Sequence, residues 1–347
     1  MGITVDIEKT FGDFDMKIQF DTENRRIGIL GASGSGKSMT LKTLAGIVTP
    51  DKGLIKIGDR VLFDSANRIN IKTRERRIGY LFQNYALFPT MTVEENIASG
   101  LRGNRQAKRD RVSLMIENFA LTGLEKRYPG ELSGGQMQRV ALARIMAYAP
   151  DVILLDEPFS ALDVFLKDRL QQELFDALSD YPGTCILVSH DRDEIYRFSD
   201  KLLIIDKGRV VSSGQTKTLF ENPGNLSAAR LTGCKNFAAI KVLSPTQIHI
   251  PAWNVTLFLK RPVPAGVTAI GYRAHDFVPV WDALSPEMIP FHLASLSELQ
   301  FERKYYLTPE SGDPICFFVH REHWPDIDTK GLPSALRMVE EKIMFLG

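Results

Sequence analysis

Cysteine is scarce. Cys185, Cys234 and Cys316 are the three in 347 residues, an odd number set far apart. That excludes a disulfide framework or a Cys-rich zinc site and fits reduced, buried thiols. Long apolar runs are missing as well, since no stretch approaches 18 uninterrupted hydrophobic residues, and no membrane-spanning helix is expected. The opening MGITVDIEKTF has neither a basic start nor an apolar core, so no secretion signal is expected from it. An excess of one charge is also lacking. The 43 Lys and Arg face 42 Asp and Glu, a net charge of +1, without the surplus on which bulk binding to nucleic acid leans. Internal repeats and low-complexity tracts are absent. What remains, 44% hydrophobic and 24% charged, is the composition of a folded protein and not of a disordered, collagenous or coiled-coil chain. At roughly 100–200 residues per domain, the length predicts two or three domains.

What is present begins with alternation. Ile3, Val5 and Ile7, then Met16, Ile18 and Phe20, recur at every second position and predict half-buried antiparallel strands ahead of RRIGIL at 25–30. From Lys37 the period becomes helical, with Met39, Leu41, Leu44 and Ile47 near one face and Thr49 and Pro50 closing it. GLIKIGDRVLF at 53–63 predicts a hairpin. Residues 92–128 predict a mostly helical insert, on the spacing of Val112, Ile116, Phe119 and Ala120. A helix at 137–148 leads to the continuous apolar strand VILLD at 152–156. After a helix beginning near Val164 comes a second buried strand, CILVSH at 185–190. Strands alternating with helices predict an α/β fold whose parallel sheet is covered on both faces. LLIIDKGRVVSSG at 202–214 predicts a hairpin about Lys207 and Gly208, and TKTLFENPG a last short helix. Beyond about 236, FAAIKVL, TQIHI, NVTLFL, GVTAIGYR and ICFFVH are short strand-like runs set apart by prolines. They predict a separate small all-β domain of barrel or sandwich type.

Gly31-Ala-Ser-Gly-Ser-Gly36-Lys37-Ser38 fits G-x-x-x-x-G-K-[ST] after a buried strand and at the opening of a helix. In such a loop glycines let the chain wrap close to phosphates, and backbone N–H groups with the helix N-terminus stabilise their charge. Lys37 would reach the β- and γ-phosphates and Ser38 would ligate Mg²⁺. The candidate nucleotide contacts are therefore Gly31, Ala32, Ser33, Gly34, Ser35, Gly36, Lys37, Ser38 and Met39. Asp156, at the end of VILLD, is the natural Mg²⁺ carboxylate of such a sheet, and Glu157 beside it can orient and deprotonate an attacking water. Without the phosphate loop the same pair would read as a solvated turn. Ser133, taken alone, reads as a helix N-cap.

LSGGQMQRVALARIMAYAPDVILLDEPFSALD at 132–163 resembles the joined signature, Walker B and D-loop segment of the ATP-binding cassette (ABC) family. Gln83 in YLFQNYALFP matches that family's Q-loop, and His190 in VSHDRDE its switch histidine. These motifs, in the family's order, cover roughly residues 1–235. The resemblance implies a P-loop nucleoside triphosphatase, RecA-like, with an N-terminal antiparallel β subdomain and a helical subdomain at about 88–145. A C-terminal accessory or regulatory domain, 236–347, is implied to be β-rich and TOBE- or OB-like. ATP and Mg²⁺ are the implied cofactors. Gln83 would sense Mg²⁺ and the water, and His190 would contact the γ-phosphate and help position Glu157. Ser133, Gly134, Gly135 and Gln136 would act in trans on the nucleotide of a second copy in a head-to-tail homodimer. The family stacks adenine on an N-terminal aromatic, for which Phe11 in KTFGDF is the candidate and Phe14 the neighbouring option. A small-molecule kinase would have no use for the LSGGQ segment.

Only about 95 residues separate Lys37 from Ser133, and there is a single cassette. That arrangement resembles importers whose permease is a separate chain. It implies a peripheral subunit on the cytoplasmic face of the membrane, with permease subunits as partners, a solute-binding protein as an indirect one, and no nucleic acid. Tyr85, Leu87 and Phe88, expected to be exposed, are candidate permease contacts. GYRAHDF at 271–277 resembles a motif in the C-terminal β domains of importers for molybdate, sulfate, spermidine, iron and sugars. FGDFDMKIQF and TGCKNF at 232–237 look most like molybdate-type ATPases, implying uptake of molybdate or tungstate. Another solute, or a soluble regulatory ATPase without a permease, are the alternatives. In the tail, Arg273, His275 and Lys304 are either anion contacts or solvated surface charge.

Overall fold

In a computed structural model of the chain, residues 2–160, 164–282, 285–309 and 312–347 are described; the D-loop residues Ala161, Leu162 and Asp163 lie outside them. Two compact units are formed, Met1–Thr216 and Lys217–Gly347. The first is built on one 11-stranded mixed sheet. β1 (Ile3–Phe11) and β2 (Phe14–Thr22) make the alternating hairpin, β3 (Arg26–Gly31) feeds the phosphate loop, and α1 (Lys37–Ala45) leaves it. β4 (Lys52–Ile57), β5 (Arg60–Asp64) and β6 (Ile69–Asn70) complete the antiparallel flank, and β7 (Ile78–Leu81) enters the parallel half. There follow α2 (Val93–Ala98), α3 (Arg105–Asn118), α4 (Gly134–Ala147), β8 (Val152–Asp156), α5 (Val164–Ser179), β9 (Thr184–Ser189), α6 (Arg192–Phe198), β10 (Lys201–Asp206) and β11 (Arg209–Gln215). Strand order is β6-β5-β4-β1-β2-β11-β10-β3-β9-β8-β7.

Burial explains the two halves. β8 and β9 are buried at every residue, as strands covered on both faces must be, whereas β2 alternates strictly after its first residues. Ile7, Ile18, Ile27, Ile29, Leu41, Leu154, Ile186 and Leu203 share one core across the sheet. The halves meet through one parallel register pair, Arg209↔Lys17, beside which the Lys17 N–H donates to Gly208 O at 2.7 Å. The C-terminus of α1 is closed by Gly46, in left-handed backbone, and by the buried Arg76 guanidinium, which donates to Thr43 O, Leu44 O, Ile71 O and Asn70 Oδ1. Burial pulls the Arg76 pKa down to about 10, still charged at neutral pH.

Two expectations shift. α4 starts at Gly134, a turn ahead of 137, because Ser133 Oγ accepts the Gln136 N–H while Gln136 Oε1 accepts the Ser133 N–H. The insert at 92–128 is helical only in α2 and α3. After Asn118 the left-handed Ala120 and Gly123 turn the chain.

α7 (Thr216–Glu221), all but its first residue, and α8 (Leu226–Leu231) open the second unit. Its strands are β12 (Asn236–Ala239), β13 (Lys241–Ser244), β14 (Gln247–Ile250), β15 (Val255–Phe258), β16 (Ala269–Tyr272), β17 (Val278–Val280), β18 (Met288–Glu298), β19 (Glu302–Pro309), β20 (Ile315–His320), β21 (Ala335–Arg337) and β22 (Met344–Leu346), with α9 (Trp324–Lys330) before β21. They form three antiparallel sheets, β12-β16-β22, β13-β14-β15 and β17-β21-β18-β19-β20, about a core that includes Trp253 and Tyr272. The division falls ahead of the junction expected near 235 for a visible reason. The Arg273 guanidinium donates to Phe220 O and Thr232 O, and Cys234 packs with Met344 and Leu346, so the segment after Thr216 folds with the β unit. Among the described residues no helix is long and apolar enough to cross a membrane, and all three cysteines are free.

Candidate functional site

β3 ends at Gly31, where an added Cβ would lie 2.4 Å from Ile205 O and 2.5 Å from Ser35 Oγ, so the loop has room only for glycine. Gly34 and Gly36 take left-handed backbone, and beside Gly34 there is open space. Gly36 caps α1 without a side-chain bond, which leaves the first-turn N–H groups for a ligand. Ser33 to Met39, with Phe11, Phe14 and Glu157, line a cavity of about 290 Å³. Gly31 and Ala32 stand behind it, their carbonyls each 2.9 Å from the buried Lys37 Nζ. Burial pulls the Lys37 ammonium below its ordinary pKa, opposed by the charges of Glu157 and Asp156. The Ser35 hydroxyl, which also lines the cavity, is buried without a hydrogen-bond partner. An uncapped helix N-terminus, a buried cation and an unsatisfied hydroxyl at one small cavity fit the phosphate end of a nucleotide. Both aromatic options, Phe11 and Phe14, border it.

Asp156 ends β8 nearly buried. Its Oδ1 accepts from Ser38 Oγ and its Oδ2 from the Tyr80 hydroxyl, both at 2.7 Å. Burial, and then the Asp156 charge, push the Tyr80 phenol far up, so it stays protonated and donates. Ser38 and Asp156 thus set a hydroxyl and a carboxylate side by side, the hard oxygen donors Mg²⁺ takes. Among the described residues no cluster of three His, Cys, Asp or Glu forms a cage, so a cation here would rely on substrate phosphate for further ligands.

Glu157 sits in left-handed backbone at φ 46°, an arrangement costing a non-glycine residue roughly 1–3 kcal/mol. Its N–H donates to Val188 O at 3.0 Å, and the Ser160 hydroxyl donates to its carbonyl. That turn brings Oε2 to 3.2 Å from His190 Nδ1. His190 is steadied from behind, where Asp191 caps α6 and pairs with Lys167 at 2.6 Å.

Other expected residues lie apart. Gln83, exposed beyond β7, does not line the cavity, and neither do Ser133, Gly134, Gly135 and Gln136, which form the capped start of α4. Gly135 packs so closely on Leu170 that an added Cβ would lie 3.0 Å from it. Tyr85, expected to be exposed, is 5% exposed: Tyr85 and Ala86 are both left-handed, which turns Tyr85 inward and leaves Phe88 outside. Arg144 of α4 holds this bend by donating to Tyr85 O at 2.9 Å and Ala86 O at 2.8 Å. In the second unit Arg273 binds main-chain carbonyls, while His275 and Lys304 both face Glu302, so all three anion candidates have protein partners. Sequence reasoning missed Tyr80 and Arg144. In YLFQ, Tyr80 is indistinguishable from a core aromatic, because its acceptor lies 76 residues away.

The phosphate loop at the end of β3, with a buried carboxylate at the end of β8, one strand removed across β9 in the same parallel half, defines a P-loop nucleoside triphosphatase. A family profile described as ABC transporter matches residues 15–160. The sulfate/thiosulfate import ATP-binding protein of Synechococcus elongatus is 33% identical over 335 residues, covering 94% of this chain and 91% of that protein. The putrescine transport ATP-binding protein of Escherichia coli is 34% identical over 328 residues, 88% and 82%. An Fe(3+) ions import ATP-binding protein of Haemophilus influenzae is 40% identical over 208 residues, 59% of each chain. A solved ATP-binding cassette, dimeric in a post-hydrolysis state with ADP and Pi, matches with a TM-score of 0.51 at 28% identity, over 62% of this chain and 99% of that one. The chain belongs to the ABC transporter family of ATP-binding proteins, and it is an ATP-hydrolysing subunit that works with Mg²⁺.

Proposed function

We propose that this chain powers an importer for a tetrahedral oxyanion, working as a homodimer on the cytoplasmic side of a separate membrane permease that a solute-binding protein loads. The observation that carries the hydrolytic part is the contact of Glu157 with His190 at the lip of the phosphate cavity. Glu157 accepts a proton from the attacking water, and His190, hydrogen-bonded to that carboxylate, fixes its direction toward the γ-phosphate. Lys37 and the loop N–H groups would hold the β- and γ-phosphates, Ser38 and Asp156 would hold Mg²⁺, and Gln83, in the segment that follows β7, would sense both. When bound, Mg²⁺ supplies the charge that offsets the phosphate oxygens. Ser133 to Gln136, outside their own chain's cavity, serve that of the second copy, so ATP joins the pair and hydrolysis releases it.

For the solute, the support is likeness to a sulfate/thiosulfate import protein through both units. Sulfate, molybdate and tungstate share one tetrahedral shape, and molybdate or tungstate is the reading taken from FGDFDMKIQF and TGCKNF. The test is reconstitution with the cognate permease and binding protein in liposomes, adding each solute in turn. Stimulation of ATP hydrolysis by an oxyanion supports the proposal. Stimulation by Fe³⁺ or putrescine alone moves the solute, and solute-independent turnover without a co-purifying permease overturns the importer.

A further inference from the structure

The acidic end of β8 is held from two sides. Ser38 grips Asp156 Oδ1 from the phosphate loop, and Tyr80 grips Oδ2 from β7, the strand that runs on into Gln83. Tyr80 pairs across the sheet with Leu154, and its ring lies 4.3 Å from that of Phe82 on the same face of the chain. The ring is nearly buried, so a phenylalanine would fill the same space, and the hydroxyl is tolerated there because it has an acceptor. A carboxylate turns easily about its last torsion. One hydrogen bond leaves that torsion soft; donors on both oxygens fix its plane.

We propose that Tyr80 is a positioning residue for the divalent cation. Its hydroxyl locks the Asp156 carboxylate so that Oδ1 and Ser38 Oγ are presented together. The same bond fastens the root of the Gln83 segment to the cation site, so a shift of β7 reaches Asp156 directly. The inference rests on reading Asp156 as the Mg²⁺ carboxylate, and the experiment separates the two.

Tyr80→Phe and Asp156→Asn are compared with the parent full-length chain in two measurements. One is the Mg²⁺ concentration for half-maximal ATP hydrolysis. The other is binding of a fluorescent ADP analogue with Mg²⁺ and with EDTA, which needs no turnover. Loss of one hydrogen bond to the Asp156 carboxylate predicts that Tyr80→Phe raises the half-maximal Mg²⁺ about tenfold or more and reduces the affinity gained from Mg²⁺ by the same factor. Affinity in EDTA stays at the parent value, while the melting midpoint falls slightly, since the nearly buried Asp156 Oδ2 loses its donor. An unchanged Mg²⁺ response in Tyr80→Phe, with a lost response in Asp156→Asn, overturns the role of Tyr80 alone. Equal weakening with and without Mg²⁺ also overturns it, since a packing defect acts that way. A full Mg²⁺ response in Asp156→Asn removes the metal reading and this inference with it.

Discussion

Glu157 is held in a backbone conformation that most side chains avoid, and the Val188 carbonyl and Ser160 hydroxyl keep it there. Glu157→Gln keeps the shape and removes the base. Turnover is expected to fall at least about 100-fold while ATP affinity stays near the parent value, checked by phosphate release and by equilibrium binding. Cys185 is the opposite case, a reactive group made inert. Burial pushes its thiol up to about 12, only partly opposed by Arg26. At pH 8 it should resist iodoacetamide in the native chain and react once the chain is unfolded, as read by mass spectrometry. The phosphate loop and the Asp156–Glu157 pair were legible because each is a contiguous stretch whose chemistry is set by its own residue types, whereas His190 was marked out only by the resemblance of VSHDRDE to the family's switch segment. Tyr80 and Arg144 were not, because their acceptors are remote in sequence and nothing local distinguishes them from core and surface residues.

Helix starts are set by local residues, although the cap at Ser133 places α4 a turn ahead of the expected 137. Thr92 and Glu95 at α2, and Ser133 and Gln136 at α4, are reciprocal caps written four residues long. Asn104 caps α3 through the Ala107 N–H, away from the phosphate cavity. Asn104→Ala should cost about 1 kcal/mol in denaturant unfolding without changing turnover. The close of α1 was not legible. Thr49 and Pro50 mark roughly where the helix stops, but the group that satisfies its last carbonyls, Arg76, comes from beyond the β4–β5–β6 flank. Arg76→Met takes the side-chain donor from both carbonyls, leaving Thr43 O only the Gly46 N–H, and should cost about 3 kcal/mol, seen as a lower urea midpoint.

Between the two units legibility differed sharply. Continuous apolar strands mark the parallel half and strict alternation the antiparallel flank, so the first unit's layers follow from pattern alone. The second unit showed its β character but not its three-sheet pairing, nor that the segment after Thr216 joins it, because Arg273 makes that link over a long range. Assembly gives a further expectation. With ATP and Mg²⁺, Glu157→Gln should elute as a dimer in size-exclusion chromatography, and added EDTA should return it to monomer.

The sheet also has a weak place. Its antiparallel and parallel halves meet at one register pair between β2 and β11, beside the Lys17–Gly208 bond, with Phe14 leaning on Gly208. The cavity straddles that line: Phe11 and Phe14 belong to one half, the loop from Ser33 to Met39 to the other. A nucleotide with its base on the aromatics and its phosphates in the loop would bridge that line. Its arrival is expected to stiffen the sheet as well as fill a site, and the Lys17 amide should report that as slowed hydrogen exchange.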